Sequence, residues 1–269
     1  KFSVFPETGT VFWSGDFLHE IIDKIAYCIS DEDSMEAIAC INMVPSKAED
    51  KHIEVCGLNG HQFAMIRFIN DDIHDLLPED GVLIQKKYLG ELKKWLTADE
   101  IELNISEKRL FFRTGDKSET FSLPLSYYQY PNYNNFLARL GDDDVSRLVA
   151  NRAELVDALE RISIFNTDSN RCTHFMLGSG ELVLYSQGQE TGTATESISA
   201  TFSGNLERIA FPTRNLIDIL GHFNSKQVEF VLTGGEAPSG ITGPDDSEYQ
   251  TILMPMMIQE ETYYTEEDV

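Results

Sequence analysis

Two segments of one shape recur at a fixed distance, and that recurrence limits what the chain can build. Phe121-Ser122-Leu123-Pro124-Leu125-Ser126 and Tyr249-Gln250-Thr251-Ile252-Leu253-Met254-Pro255-Met256-Met257-Ile258 each set apolar residues around a proline, and the prolines stand 131 residues apart (255 − 124). Phe5-Pro6 is echoed by Tyr130-Pro131 at 125 residues (130 − 5), and helices expected to start at Gln85 and Thr213 are 128 apart (213 − 85). Intervals this similar in a chain of 269 residues point to two copies of one domain. Proline has no N–H for a ladder, so each segment must reach a sheet edge or leave the sheet there. Methionines on both sides of Pro255 suit either a gap-filled core strand or an adaptable apolar rim.

Hydrophobic periodicity supplies the rest of each copy. Val11-Phe12-Trp13 reads as a short strand. Ser14 is a good N-cap, and Phe17, Leu18, Ile21, Ile22, Ile25 and Ile29 recur at three- and four-residue steps, so a helix is expected from Gly15 to Ile29. Alternation over 37–43 and 53–69 predicts strands around an Asn59-Gly60 turn. Residues 71–81 read as an acidic loop, Gln85 to Leu96 as a second helix, and 101–105, 110–113 and 120–125 as strands. After a link over 127–144 the order repeats. A strand at 146–150 leads to a helix capped by Asn151, with Leu155, Val156, Leu159 and Ile162 on its apolar face. Strands follow at 174–177, 182–186 and 195–203, then 208–211 leading into the helix Thr213 to Phe223, then strands at 227–233, 239–242 and 249–254. The expected fold class is α+β: two repeated domains, each an antiparallel sheet with two helices on one face. The expected bounds are a linker at 1–10, domains at 11–137 and 138–258, and an acidic tail at 259–269.

Charge restricts the partners. Lys and Arg number 21 against 45 Asp and Glu, a net charge of −24 that repels nucleic acid and anionic membranes at long range. Any DNA contact must therefore be local. Cys28, Cys40, Cys56 and Cys172 show neither CxxC nor metal spacing and read as small buried hydrophobes in a reducing compartment, so a cytoplasmic location is expected. No apolar run approaches the roughly 18 residues of a membrane span, and the first residue is Lys1, not Met.

Against this acidity, the helix from Gln85 to Leu96 gathers Lys86, Lys87, Lys93 and Lys94. Part of that set can face a phosphate backbone while Leu89, Leu92 and Leu96 face the sheet; an ordinary solvated helix face is the plain alternative. His61, in the turn Leu58-Asn59-Gly60-His61-Gln62-Phe63, has no second ligand or orienting partner nearby in sequence. The glycine-rich stretch 233–240 lacks the Lys-Ser/Thr of a phosphate loop and reads as a hairpin, and Asp142-Asp143-Asp144 lacks the spaced ligands of a calcium loop. No catalytic residue, metal site or cofactor is expected.

The ordered set Leu58 to Ala64, Val82 to Leu96, Tyr130-Pro131-Asn132-Tyr133, Phe211 to Leu220 and Leu253-Met254-Pro255-Met256 resembles the bacterial sliding clamp family, the DNA polymerase III beta subunits, over nearly the whole chain. That family has three similar clamp domains, and the chain resembles the second and third, with the first absent. The resemblance implies a non-catalytic processivity factor that closes as a head-to-tail homodimeric ring around duplex DNA without reading its sequence. It implies tethering of the polymerase III alpha subunit, the clamp-loader subunits and other proteins carrying a clamp-binding motif. By position, Lys86, Lys87, Lys94, Arg152 and Arg214 would face DNA. The family's partner-peptide groove, between the two domains and the C-terminal strand, maps to Ile38, Leu58, Gly60, His61, Gln62, Phe63, Pro131, Asn135, Phe136, Ile252, Met254, Pro255 and Met256.

Gln62, Asn135 and Met257 stand where the family often carries arginine, which puts cationic contacts to a guest peptide in question. Residues 259–269 extend past the family's usual end, and an acidic tail there is expected to modulate guest entry. Two other classes remain in view: a clamp-like protein-binding scaffold that does not encircle DNA, and a hydrolase using acidic residues. The second has only carboxylate abundance behind it.

Overall fold

A computed structural model describes residues 3–106, 108–168, 170–188 and 192–258. The acidic tail expected at 259–269 lies outside the described residues. In chain order come β1 (Val11–Ser14), α1 (Gly15–Ile25), β2 (Cys40–Pro45), β3 (His52–Leu58), β4 (Gln62–Ile69), α2 (Asp71–Leu76), β5 (Val82–Gln85), α3 (Lys86–Trp95), β6 (Glu100–Ser106), β7 (Arg109–Thr114), β8 (Thr120–Pro124) and α4 (Asn134–Arg139). They are followed by β9 (Ser146–Asn151), α5 (Arg152–Ser163), β10 (Cys172–Leu177), β11 (Glu181–Gly188), β12 (Gly192–Ser203), β13 (Arg208–Pro212), α6 (Thr213–Gly221), β14 (Gln227–Leu232), β15 (Ser239–Thr242) and β16 (Tyr249–Leu253). The fold is α+β, with antiparallel strand pairs throughout the described registers.

Contacts divide the chain into two compact units. One ends at Asn135 and includes Asp245–Ile252; the other runs from Phe136 to Pro244 and resumes at Leu253. The division differs from the expected bounds in giving most of the last strand to the first unit. The Glu248 carbonyl accepts from the Arg67 amide at 3.0 Å, and the Tyr249 hydroxyl donates to the Lys24 carbonyl of α1 at 2.7 Å. In the first unit the strands run β1-β6-β7-β8 and β5-β2-β3-β4; in the second they run β13-β10-β11-β12-β9-β14-β15. The second order reproduces the first, with β9 for β1, β14 and β15 for β6 and β7, and β13-β10-β11-β12 for β5-β2-β3-β4. Both proline expectations hold: Pro124 ends edge strand β8, and Pro255 lies two residues past the end of β16.

Local chemistry sets the helix starts. Ser14 Oγ accepts from Phe17 N at 3.2 Å and Asn151 Oδ1 from Glu154 N at 3.0 Å, each satisfying one of the amides a helix start leaves open. Helix α1 buries Leu18, Ile21, Ile22 and Ile25, and α5 buries Leu155, Ala158, Leu159 and Ile162. The first helix ends four residues earlier than periodicity predicts, because residues 26–28 tighten into a 3-10 turn. Three further differences are local. Residues 33–39 form a 3-10 segment rather than the start of a strand. The acidic loop contains α2, capped by Asn70 Oδ1 on Ile73 N at 3.0 Å. The link over 127–144 contains α4.

Residues 5–10, expected as a linker, lie docked on β6 and β7. Phe5 is buried edge-on to Phe111, with the Arg113 guanidinium 3.9 Å from its ring centroid. Arg113 also pairs with Glu102 at 2.5 Å and Glu7 at 2.8 Å, while the Asn104 amide donates to the carbonyls of Pro6 at 3.0 Å and Thr8 at 2.8 Å.

Helix α1 lies close on β3 only because Gly57 has no side chain. A Cβ there would come 2.6 Å from Ile29 Cγ1 and 3.0 Å from Ile25 Cγ2, whereas one at Gly90, inside α3, would meet nothing within 4 Å. Gly57→Ala should therefore cost about 1–3 kcal/mol through overpacking. Gly90→Ala should add about 0.5–1 kcal/mol by removing a flexible residue from a helix interior. Urea unfolding of the two variants, read as midpoint shifts of opposite sign, checks both.

Candidate functional site

Helix α3 presents the basic candidates of the first unit. Leu89 and Leu92 are buried, so the opposite face takes the lysines outward. They are not equivalent. Lys86 Nζ donates to the Ile29 carbonyl at 3.1 Å and to Asp31 Oδ1 at 2.7 Å, so part of its charge is already engaged. Lys93 pairs with Asp23, and Lys94 with Glu91 at 2.9 Å on an exposed face. Lys87 is exposed, its Nζ 5.5 Å from the Tyr88 ring centroid. A cleft of 390 Å³ runs beside them, walled by Ala26, Asp31, Lys86, Lys87, Gly90 and Lys93. Three cations against one carboxylate give this cleft a sign opposite to that of the chain.

The two arginines of the second unit also differ. Arg152 is half-buried; its Nε donates to the Ser225 carbonyl at 2.7 Å and an Nη to the Leu220 carbonyl at 3.5 Å, so it satisfies carbonyls at the end of α6. Arg214 is exposed in the first turn of α6.

Among the partner candidates of the first unit, a tight turn fixes the loop between β3 and β4. Asn59 Oδ1 accepts from the amides of His61 and Gln62, each at 3.0 Å, and Gly60 takes a φ of 86° that suits glycine. The turn holds His61 out to solvent and turns Gln62 inward, where its Nε2 donates to the Tyr27 carbonyl at 3.3 Å. Phe63 is buried against Tyr133, with ring centroids 5.3 Å apart. Ile38 and Leu58 are half-buried, Pro131 and Asn135 exposed, and Ile252 buried. Tyr27 ties this region to α1: its hydroxyl lies 2.6 Å from that of Tyr249, and burial first, then neighbouring groups, holds it well above the usual tyrosine range. In the second unit Phe136, Met254 and Pro255 are half-buried, while Met256 and Met257 are exposed. The Met256 amide donates to the Ala210 carbonyl of β13 at 2.7 Å, which holds the chain to a sheet edge after the proline.

Residues 141–257 match the family described as DNA polymerase III beta subunit, C-terminal domain. The beta sliding clamp of Pseudomonas aeruginosa is 24% identical over 245 residues, covering 90% of the chain and 64% of the relative. A sliding clamp from Bartonella birtlesii, solved bound to griselimycin, superposes with a TM-score of 0.85 at 25% identity, covering 96% of the chain and 68% of that structure. A sliding clamp from Caulobacter crescentus gives a TM-score of 0.83 at 19% identity, again over 96% of the chain. Residues 141–257 thus carry the C-terminal domain of DNA polymerase III beta subunits, and the chain as a whole is similar to beta sliding clamps. It spans 64% of the length of the first of these relatives.

The groups that could have suggested other chemistry have structural partners. Burial pushes the Cys56 thiol up to about 12, and Cys40 and Cys172 are raised for the same reason, so these remain thiols. All four cysteines are buried and none forms a disulfide. Asp142 and Asp144 accept from Arg139 at 2.8 and 2.6 Å. Among the described residues no group of three or more His, Cys, Asp or Glu could hold a metal ion, and no helix is long and apolar enough to cross a membrane. Sequence reasoning missed the Tyr27–Tyr249 pair and the Gln62–Tyr27 bond, since both join residues far apart in the chain.

His174 is half-buried in β10. It stacks on Tyr185 at 4.6 Å, its Nδ1 is buried without a hydrogen-bond partner, and burial first, then Arg208, holds its pKa below the usual 6.5. The unfolded chain therefore takes up this proton before the folded one, and the folded state loses stability as pH falls below about 6.5. Melting should show a larger Tm drop from neutral to mildly acidic pH for the native chain than for His174→Phe, which keeps the ring stack.

Proposed function

We propose that the chain supplies two domains of a DNA sliding clamp, a non-catalytic processivity factor that encircles duplex DNA and tethers a replicative polymerase in the cytoplasm. The observation that carries this reading is the likeness to solved clamps over 96% of the chain at a TM-score of 0.85. Lys86, Lys87, Lys94, Arg152 and Arg214 face DNA in this reading. A few cations in an acidic chain suit sliding: they meet phosphates without a fixed register, and the remaining charge discourages adhesion elsewhere. The ring forms with a second copy.

The partner peptide, from the polymerase III alpha subunit, a clamp-loader subunit or another motif-bearing protein, is received by two sets of residues. The first unit supplies Ile38, Leu58, Gly60, His61, Gln62, Phe63, Pro131, Asn135 and Ile252; the second supplies Phe136, Met254, Pro255 and Met256. The engaged Gln62 amide and the largely apolar second set favour a guest held by leucine and phenylalanine anchors. A second reading, a protein-binding scaffold that does not encircle DNA, is favoured by the internal engagement of Lys86 and Arg152.

Two measurements test the proposal. Duplex DNA binding followed against salt should be weakened by the combined Lys86→Ala, Lys87→Ala and Lys94→Ala changes, with the salt slope falling by about 0.9 for each phosphate no longer neutralised. An unchanged slope favours the scaffold. A labelled peptide with leucine and phenylalanine anchors should bind saturably and lose about fivefold or more in affinity on Met254→Ala or Pro255→Ala. Binding indifferent to both changes removes the second set from the partner site.

A further inference from the structure

The start of α3 carries a feature that duplex binding does not use. A hollow of 80 Å³, lined by Glu36, Ala39, Gln85, Lys87 and Tyr128, shares Ala39 and Lys87 with the basic cleft of 390 Å³. Gln85 Oε1 is buried there without a hydrogen-bond partner, while its Nε2 donates to Ser126 Oγ at 3.1 Å and fixes the amide. A buried acceptor left open is unfavourable until a donor reaches it. Tyr128 keeps 43% of its surface exposed, which leaves ring surface for a planar guest. Glu36 is exposed on the same hollow and repels a phosphate from it, while Lys86 and Lys87 attract one to the adjoining cleft.

These groups divide the work of holding a nucleotide. Lysines meet phosphate, an aromatic plane meets a base face, and a fixed acceptor meets a base N–H. A paired base offers neither its face nor its pairing edge, so the guest must be unpaired. We propose that the hollow at Gln85 and Tyr128 takes an unpaired nucleotide of a DNA strand, with its phosphate in the lysine cleft. The proposal rests on the reading that α3 faces DNA. A free mononucleotide has the same chemistry, and the test separates the two sources.

Fluorescence anisotropy of the chain with a short labelled single strand, a blunt duplex and an unlabelled mononucleotide competitor decides it. Tyr128→Ala should weaken single-strand binding about tenfold, and Tyr128→Trp should restore it, because stacking tolerates any aromatic plane. Gln85→Met, which removes the acceptor and keeps the length, should also weaken it, and duplex binding should not respond to these changes. Absence of single-strand binding, or single-strand binding unchanged in a folded Tyr128→Ala chain, overturns the proposal. So does equal loss for strand and duplex. Competition by the mononucleotide at the affinity of the strand overturns the strand as guest. If duplex binding fails while Tyr128-dependent strand binding persists, this inference stands and the duplex reading falls.

Discussion

Both units depend on one contact: the apolar stripe of a capped helix laid on an antiparallel sheet. In the first, Leu18, Ile21, Ile22 and Ile25 of α1 are buried, with Gly57 of β3 allowing the approach. In the second, Leu155, Ala158, Leu159 and Ile162 of α5 take the equivalent place. Each large aliphatic side chain so buried contributes about 1.5–3 kcal/mol. The same contact decides which way the second helix of each unit can face. Once Leu89 and Leu92 are committed inward, Lys87 and Lys94 have no direction left but outward. The lysine face is thus a by-product of core formation, and needs no element of its own.

The parts of this arrangement governed by near neighbours were legible in the sequence. Ser14 and Asn151 announce helix starts because a cap acts on amides three residues away, and the stripes of α1 and α5 follow from the helical repeat. The Asn59-Gly60 turn was legible for the same reason. Helix α2 could have been found: Asn70 followed by Asp71 and Asp72 is a helix start, with carboxylates at the positive end of the dipole, but the density of acidic residues read as loop. What lay beyond reading were pairings across long separations. Nothing near Arg113 in sequence foretells Glu7, and nothing near Gln62 foretells the Tyr27 carbonyl.

The same distinction governs the candidate site. Sequence counts charges; the fold decides which are spent. Lys86 and Arg152 have positions suited to DNA, yet both give donors to backbone carbonyls, of Ile29 in one case and of Ser225 and Leu220 in the other. Withdrawing either cation toward a phosphate would give up these hydrogen bonds, although the Leu220 carbonyl would keep the Phe223 amide at 3.3 Å. Lys87 and Arg214 are exposed, and their approach to a phosphate costs little more than side-chain freedom. In the proposed clamp, a surface that holds DNA loosely gains from this mixture. Exposed cations supply attraction that salt can screen, while tethered ones add local field without reaching out to fix a register.

Gln62 shows how one residue can shift the character of the proposed partner surface. Where the sequence resemblance leads one to expect an arginine, the chain has an amide turned inward, its Nε2 on the Tyr27 carbonyl at 3.3 Å. A guanidinium at this position would bring a formal charge and five donors. The amide instead joins the turn to the residue whose hydroxyl meets Tyr249, linking the loop, the end of α1 and the last strand. In the proposed partner site, stiffness in that loop would lower the entropy cost of receiving a guest, and the missing charge would remove the gain from an acidic residue beside the guest's apolar anchors. In the proposed partner site, selectivity would then rest on the shape and volume of leucine and phenylalanine side chains against Met254, Pro255 and Met256, a surface whose thioethers adapt more readily than they discriminate.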